Sequence, residues 1–299
     1  MSRVLVVGSI NLDLVIRAER FPVPGETLGE GAFATFPGGK GANQAVAASR
    51  LGAEVALLGC VGGDAFGDRL LSGLAAEGVD TGFVRRAPHA ASGVAMITVA
   101  GGENAIVLAP GANHALRPED IVAASDLFAW AEIVLCQLEI PLACVLAAAE
   151  QAKNHGRPFI LNPAPAVPLP ERLIQLTTLL TPNAHELGLL FPEVKSKEVL
   201  LSARAPQLLY TDGCRGVWYA DSAGIICHQP AFKVDAIDTT GAGDTFNGAL
   251  AAFWDLPRDD ALRLAAAAAA LSVTRAGAQS GRPTYAELEV FLQQAKVRT

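Results

Sequence analysis

The chain has 299 residues, 51% hydrophobic and 18% charged, with 23 basic and 30 acidic side chains and a formal net charge of −7. That length holds a sizeable core and suits one large α/β domain or two smaller ones. The acidic balance, with no Lys/Arg block, argues against nucleic acid and anionic membranes as partners.

Residues 3–10, RVLVVGSI, read as a buried strand. Residues 12–36 read as extended chain with turns. The run GKGANQAVAASRLG reads as a helix stopped by Gly52. EVALLGCVG is strand-like, and DAFGDRLLSGLAAEG is a helix with Asp64 as N-cap and Gly78 closing it. Residues 92–110 predict a hairpin around GGEN. EIVLCQLE, PFILNP, TTLLTPN and QLLYTDG are strand-like, AFKVDAID (231–238) is read as a further strand, and the last 55 or so residues are mostly helical. This alternation predicts a three-layer α/β fold, a mostly parallel sheet covered by helices on both faces. Segments 12–36 and 92–110 are expected to pair into a small β-sheet lid. No linker or repeat divides the chain, so 1–299 is expected to be one catalytic domain.

The mean hydropathy, +0.32, is high for a soluble protein. Yet the apolar stretch 127–149 is interrupted by Glu132 and Glu139, and 264–273 is shorter than the roughly 20 residues a bilayer demands. With no signal-peptide pattern, a cytoplasmic protein is expected. Five scattered cysteines form no C-x-x-C, so neither a disulfide frame nor a zinc site is expected.

Five motifs carry chemistry. PGGKGANQA (37–45) fails the Walker test because Gly41 stands where Ser or Thr is needed. It is either a flexible turn with a solvated lysine, or a helix start where Lys40 and Asn43 converge on a polar ligand. In GSINLDL, Asn11 and Asp13 stand at i and i+2 beyond a strand's carboxyl end, where open α/β sheets bind ligands. That pair suits a sugar's hydroxyls, or is an ordinary Asx turn. CQLE, LNPAP and TPNAHE set polar groups along one sheet edge. TDGCRG (211–216) is a phosphate cradle with Arg215 adding charge, or an ordinary β-turn. DTTGAGDTFNGAL (238–250) opens a helix with Gly241 and Gly243, which invites an anion, and with Asp244, which repels one. Asp244 either compensates the helix dipole or accepts a proton from a hydroxyl attacking a phosphate held by the N–H groups.

In that order, GSINLD, PGGKGANQA, QLE, LNPAP, TPNAHE and DTTGAGDTFNGA resemble the ribokinase-like (PfkB) carbohydrate kinases, from Val4 to about Phe291. The resemblance implies a magnesium-dependent transfer of the ATP γ-phosphoryl group to the 5-hydroxyl of ribose, potassium activation, and a homodimer formed through the lid. By position it implies that Asn11, Asp13, Gly39, Lys40, Gly41, Asn43 and Glu139 contact the sugar. Asn183, Gly243 and the turn Thr211, Asp212, Gly213, Cys214, Arg215, Gly216 would contact nucleotide. Glu186 would reach magnesium through water. Gly241, Ala242 and Gly243 would form an anion hole, with Asp244 as base and a contact to the sugar. A potassium loop would fall at Asp238, Thr240, Ser272, Arg275, Gly277 and Gly281.

The chain departs from that pattern in a shorter span from Glu186 to Thr211, where a trimmed helix is expected, in Ala266 beside the adenine, and in Gly281 in place of a small polar residue. A second substrate phosphate would call for extra cations, but 90–113 has no Lys or Arg, and 12–36 only Arg17 and Arg20. Phe21, Phe33 and Phe36 are the aromatics a nucleoside base would stack on, and 90–113 adds none. A small neutral sugar fits best. Deoxyribose, a ketohexose, or a catalytically silent sugar-binding regulator of the same fold are the alternatives.

Overall fold

The computed structural model describes residues 2–193, 196–204, 207–275, 277 and 279–295. In chain order its strands are β1 (Arg3–Val7), β2 (Asn11–Arg17), β3 (Ala32–Gly38), β4 (Glu54–Gly62), β5 (Val79–Asp80), β6 (Val84–Ala87), β7 (Gly93–Ala100) and β8 (Glu103–Ala109). There follow β9 (Ile133–Cys136), β10 (Phe159–Leu161), β11 (Leu179–Leu180), β12 (Leu209–Thr211), β13 (Val217–Ala220) and β14 (Ile226–Gln229).

The apolar run at β1 becomes the middle of a seven-stranded sheet ordered β11-β10-β9-β1-β4-β5, with β6 also on β4, and every pairing parallel. Period-two alternation sends Val4 and Val6 to one core and Leu5 and Val7 to the other. The first core is closed by helices Lys40–Arg50, Ala242–Ala252 and Arg258–Ser272, the second by Leu142–Asn154 and shorter helices. This is the layered α/β architecture that the strand–helix alternation implies. Gly248 lets the two site helices touch: a Cβ there would lie 2.5 Å from the Gln44 carbonyl oxygen. That approach brings Gln44 and Asn43 up to Asp244.

A separate four-stranded sheet, β3-β2-β7-β8, stands beside the main one. Its inner pair β2–β7 is parallel and the outer pairs are antiparallel. β7 and β8 turn on Gly101 and Gly102, both in the left-handed region at φ 59° and 82°, as a two-residue hairpin of this twist requires. A third sheet, β12–β13–β14, is antiparallel and joins the main sheet through bridges Leu180 to Leu208 and Asn183 to Thr211. The span 187–210 keeps the end of helix Ala184–Leu190 and the whole of Lys197–Ala203, each seven residues long.

One expected element does not form. Residues 231–238 are not a strand; only Phe232 makes an isolated bridge. Ile237 is 72% exposed, and the amides of Ile237 and Asp238 donate to the Val273 carbonyl rather than to a sheet edge. Thr211 already bridges Asn183 beyond β11, so the alternating pattern has no ladder to join there. Among the described residues no helix is long and apolar enough to cross a membrane.

Candidate active site

The glycines of PGGKG serve close packing first. Gly39 has φ 86°, and a Cβ on it would sit 2.7 Å from the Asn11 amide nitrogen. A Cβ on Gly41 would sit 2.5 Å from the Ser9 amide nitrogen. The start of helix Lys40–Arg50 is thereby pressed onto the end of β1 and the start of β2. Glu139 receives that helix start: its Oε2 accepts from the Lys40 amide at 3.1 Å and from Ser9 Oγ at 2.6 Å. Asn11 is held by Asn113, whose Nδ2 donates to Asn11 Oδ1 at 2.7 Å. Asp13 packs against the backbone of Gly38, where any side chain would collide with its carboxylate.

Gly241, with φ 75°, caps helix Ala242–Ala252, and the first-turn N–H groups have no intrahelical acceptor. Asp244 follows in that turn and is only 7% exposed. Asn43 Nδ2 donates to its Oδ2 and Gln44 Nε2 to its Oδ1, each at 3.0 Å. Gln44 is fixed in turn, donating to Asn162 Oδ1 at 3.1 Å and accepting from Gln137 Nε2 at 2.6 Å. Thr181 Oγ1 donates to Asn247 Oδ1 at 2.7 Å, and Asn247 Nδ2 to the Gly243 carbonyl at 2.8 Å. Asp244 is thus a carboxylate aimed by two amides, with lone pairs left on both oxygens.

On the other side of Asp244 opens a cavity of about 440 Å³. Lys40, Asn183, Glu186, Thr211, Gly213, Cys214, Gly216 and Gly241 to Asp244 line it, with Ala266, Ala269, Ala270 and Val273 as an apolar wall. Its size and mixed lining fit a nucleotide-sized ligand. Asp212 and Arg215 are not on that lining. Arg215 donates to both Asp212 oxygens, at 2.8 and 2.7 Å, and its charge is spent there, leaving backbone and Thr211 to face the cavity. The charge that TDGCRG offered a phosphate is therefore satisfied within the turn.

Burial, then the charges of Glu139 and Asp244, push the Asp13 carboxyl up to about 7. Burial pulls the Lys40 ammonium down, but Asp244, Glu139 and Glu186 together outweigh it and its proton is held more tightly than usual. Burial raises Glu186. Asn183 and Glu186 form a reciprocal capping box, with Glu186 N donating to Asn183 Oδ1 at 2.9 Å and Asn183 N to Glu186 Oε2 at 3.0 Å. The N-x-x-E spacing has this structural use whatever else it does.

No group of three or more metal-ligating side chains gathers among the described residues. The buried Glu186 carboxylate on the lining of this nucleotide-sized cavity fits magnesium, which keeps its waters and arrives on phosphates. The loop expected to hold potassium brings backbone carbonyls close together. Around the position a Cβ on Gly281 would occupy stand the carbonyl oxygens of Ser272 at 2.7 Å, Gly277 at 3.0 Å and Arg275 at 3.4 Å. Asp238 braces the loop, accepting from the Gly277 amide and the Thr240 amide, both at 2.9 Å. The Arg275 guanidinium turns away to Glu287 at 2.7 Å, so only its backbone faces this cradle. Gly281 is therefore pressed against three carbonyls, and the Gly277 carbonyl accepts from the Gly281 amide at 3.1 Å.

The sequence motifs therefore meet around Asp244, and the order in which they meet is that of a phosphotransferase. The chain belongs to the pfkB family of carbohydrate kinases, which it matches over residues 1–285. Ribokinase of Bacillus subtilis (strain 168) is 44% identical to it, over 98% of this chain and 100% of the relative. The structure of ribokinase from Thermotoga maritima superposes with a TM-score of 0.90 at 34% identity, covering 98% of this chain and 100% of that one. Arabidopsis thaliana ribokinase, solved complexed with ribose and ATP, gives 0.89 at 32% identity, covering 98% and 99%.

Sequence reasoning left out Ser9, Gln44, Asn113, Gln137, Asn162 and Arg282. Gln137 and Asn162 stood in strand-end runs, which marks their edge of the sheet. Nothing local marks Gln44 or Arg282, whose partners lie some 200 and 38 residues away in the chain.

Proposed function

We propose that the chain transfers the γ-phosphoryl group of ATP to the 5-hydroxyl of D-ribose. One observation carries this reading. The Asp244 carboxylate stands between a cluster of hydroxyl-binding groups (Asp13, Asn43, Glu139) and a cavity floored by the N-terminus of its own helix. A sugar held by Asp13, Asn11, Asn43 and the Gly39–Gly41 turn presents its hydroxyl to Asp244. Asp244 accepts the proton as the sugar oxygen bonds to the γ-phosphorus, and the bond from that phosphorus to the bridging oxygen of ADP breaks. The N–H groups of Gly241, Ala242 and Gly243 receive the charge that develops on the phosphoryl oxygens. Lys40 spans both halves and offsets charge on either side. Asn183 and the Thr211–Gly216 turn hold the nucleotide, with Ala266, Ala269 and Ala270 against its base.

Glu186 would hold magnesium through water, and the metal would supply positive charge against the nucleotide's phosphates. Potassium in the Gly281 cradle would order the loop leading into Gly241. The low cation content of the sheet 12–36 and 92–110 favours a neutral sugar without a second phosphate, and that sheet acts as the lid. We place the enzyme in the cytoplasm as a homodimer.

Asp244→Asn tests the base. Both carboxylate oxygens accept from amides, so an Asn amide must face one donor, and the variant should lose about 1–3 kcal/mol of stability. It should still fold and bind ATP, while kcat falls about 10²–10⁴-fold. Calorimetric titration beside steady-state kinetics reads both. Near-normal turnover would remove Asp244 from the role.

A further inference from the structure

Arg282 heads the fully buried large side chains of this protein: it is 1% exposed, and its side chain not at all. Nε, Nη1 and Nη2 all lack a hydrogen-bond partner among the described residues. Charged groups are rarely buried this way unless paired. Burial weakens its hold on its proton, to about 10, with Asp244 opposing that loss, so it remains a cation at neutral pH. The carboxylate it faces is Asp244, whose Oδ2 lies 4.0 Å from Nη2. Arg50 and Glu77 are the other charges felt there.

A second contact reaches the same oxygen from the same segment. Gln279 Nε2 donates to Asn43 Oδ1 at 3.1 Å, and Asn43 Nδ2 donates to Asp244 Oδ2 at 3.0 Å. The segment itself is clamped by Arg50, whose Nη1 donates to the carbonyls of Gln279 at 3.1 Å and Arg282 at 2.9 Å. Its backbone is therefore anchored without the Arg282 guanidinium, and an apolar side chain of similar volume would fill the space. What such a side chain would lack is charge. Lys40 already faces three carboxylates, Asp244, Glu139 and Glu186, and a nucleotide adds several negative charges beside them.

We propose that Arg282 is a positioning residue for phosphoryl transfer: its buried cation, 4.0 Å from the Asp244 carboxylate, holds that carboxylate in place while the polyanionic nucleotide binds next to it. This rests on reading Asp244 as the base, and the variants separate the two ideas. Arg282→Met should fold with an unfolding midpoint below that of the parent, because it leaves the buried Asp244 carboxylate without this cation. Its kcat should fall about 10–100-fold, with the KM for ATP changed less than about twofold. Arg282→Lys, which keeps a buried cation, should recover kcat to within about threefold of the parent. Added to Asp244→Asn, Arg282→Met should lower kcat no further, since its effect passes through that carboxylate. Parental kcat in Arg282→Met, a folded Arg282→Lys as slow as Arg282→Met, or additive losses in the double variant would each overturn the proposal. Should Arg282→Met not fold, Arg282→Lys and the double variant, where both charges leave together, decide it. Normal turnover by Asp244→Asn would instead sink the base reading itself.

Discussion

Asp13 lies between Glu139 and Asp244, and burial with those two charges raises its carboxyl to about 7 from an ordinary value of 3.8. The sign of the consequence is fixed by linkage. Between those two values the folded chain holds a proton that the unfolded chain has lost, so this group's contribution to stability declines as pH rises through the window. Hydroxyls that donate to Asp13 favour its charged form, so sugar binding near pH 7 should release a proton. The binding enthalpy measured at pH 6.5 should then differ between phosphate and Tris, and Asp13→Asn should abolish the difference. Equal enthalpies in both buffers for the parent enzyme would contradict this. The candidate residues on the motifs were legible because Gly, Asp and Asn at a strand end or helix start carry a local meaning. Gln44 was not, because a buried amide takes its role from partners that only the tertiary fold supplies.

Two loop-to-helix junctions organise the site, and each depends on glycine for a different reason. Gly241 supplies a left-handed residue at the cap, φ 75°. Gly281 lets the chain pass close to three carbonyls. In Gly281→Ala a methyl group would press on those carbonyls, 2.7 Å from the Ser272 oxygen. The ratio of turnover in potassium to turnover in a bulky organic cation should exceed one in the parent and collapse toward one in the variant. An undiminished ratio would place the cation elsewhere. Strands of the main sheet were readable because a buried parallel strand is a continuous apolar run, as in β1 and β4. The segment 231–238 misleads because alternation states only that a chain suits a sheet, and here it lies along the surface, tied to Val273.

One face of the four-stranded sheet leaves Phe33, Met96 and Val107 exposed by 64%, 57% and 69%, more apolar surface than an isolated small sheet sustains in water. Packing of two such sheets against each other would cover it. Light scattering at micromolar concentration should give twice the 31.0 kDa chain mass, and Met96→Lys with Val107→Lys should halve it. A strict monomer for the parent chain would contradict that assembly. At this scale the sequence disclosed the layers and the order of the motifs, while the surfaces that meet across the molecule had no local signal. The helix carrying Asp244 lies between the core and the cavity, so the proposed base and anion site belong to one rigid element. Phosphorus and carbon NMR of the product formed from ATP and D-ribose tests the whole account most directly. It should show one ADP for each ribose consumed, with a phosphomonoester on carbon 5. ADP formed without dependence on the sugar, or phosphate on any other carbon, would contradict it.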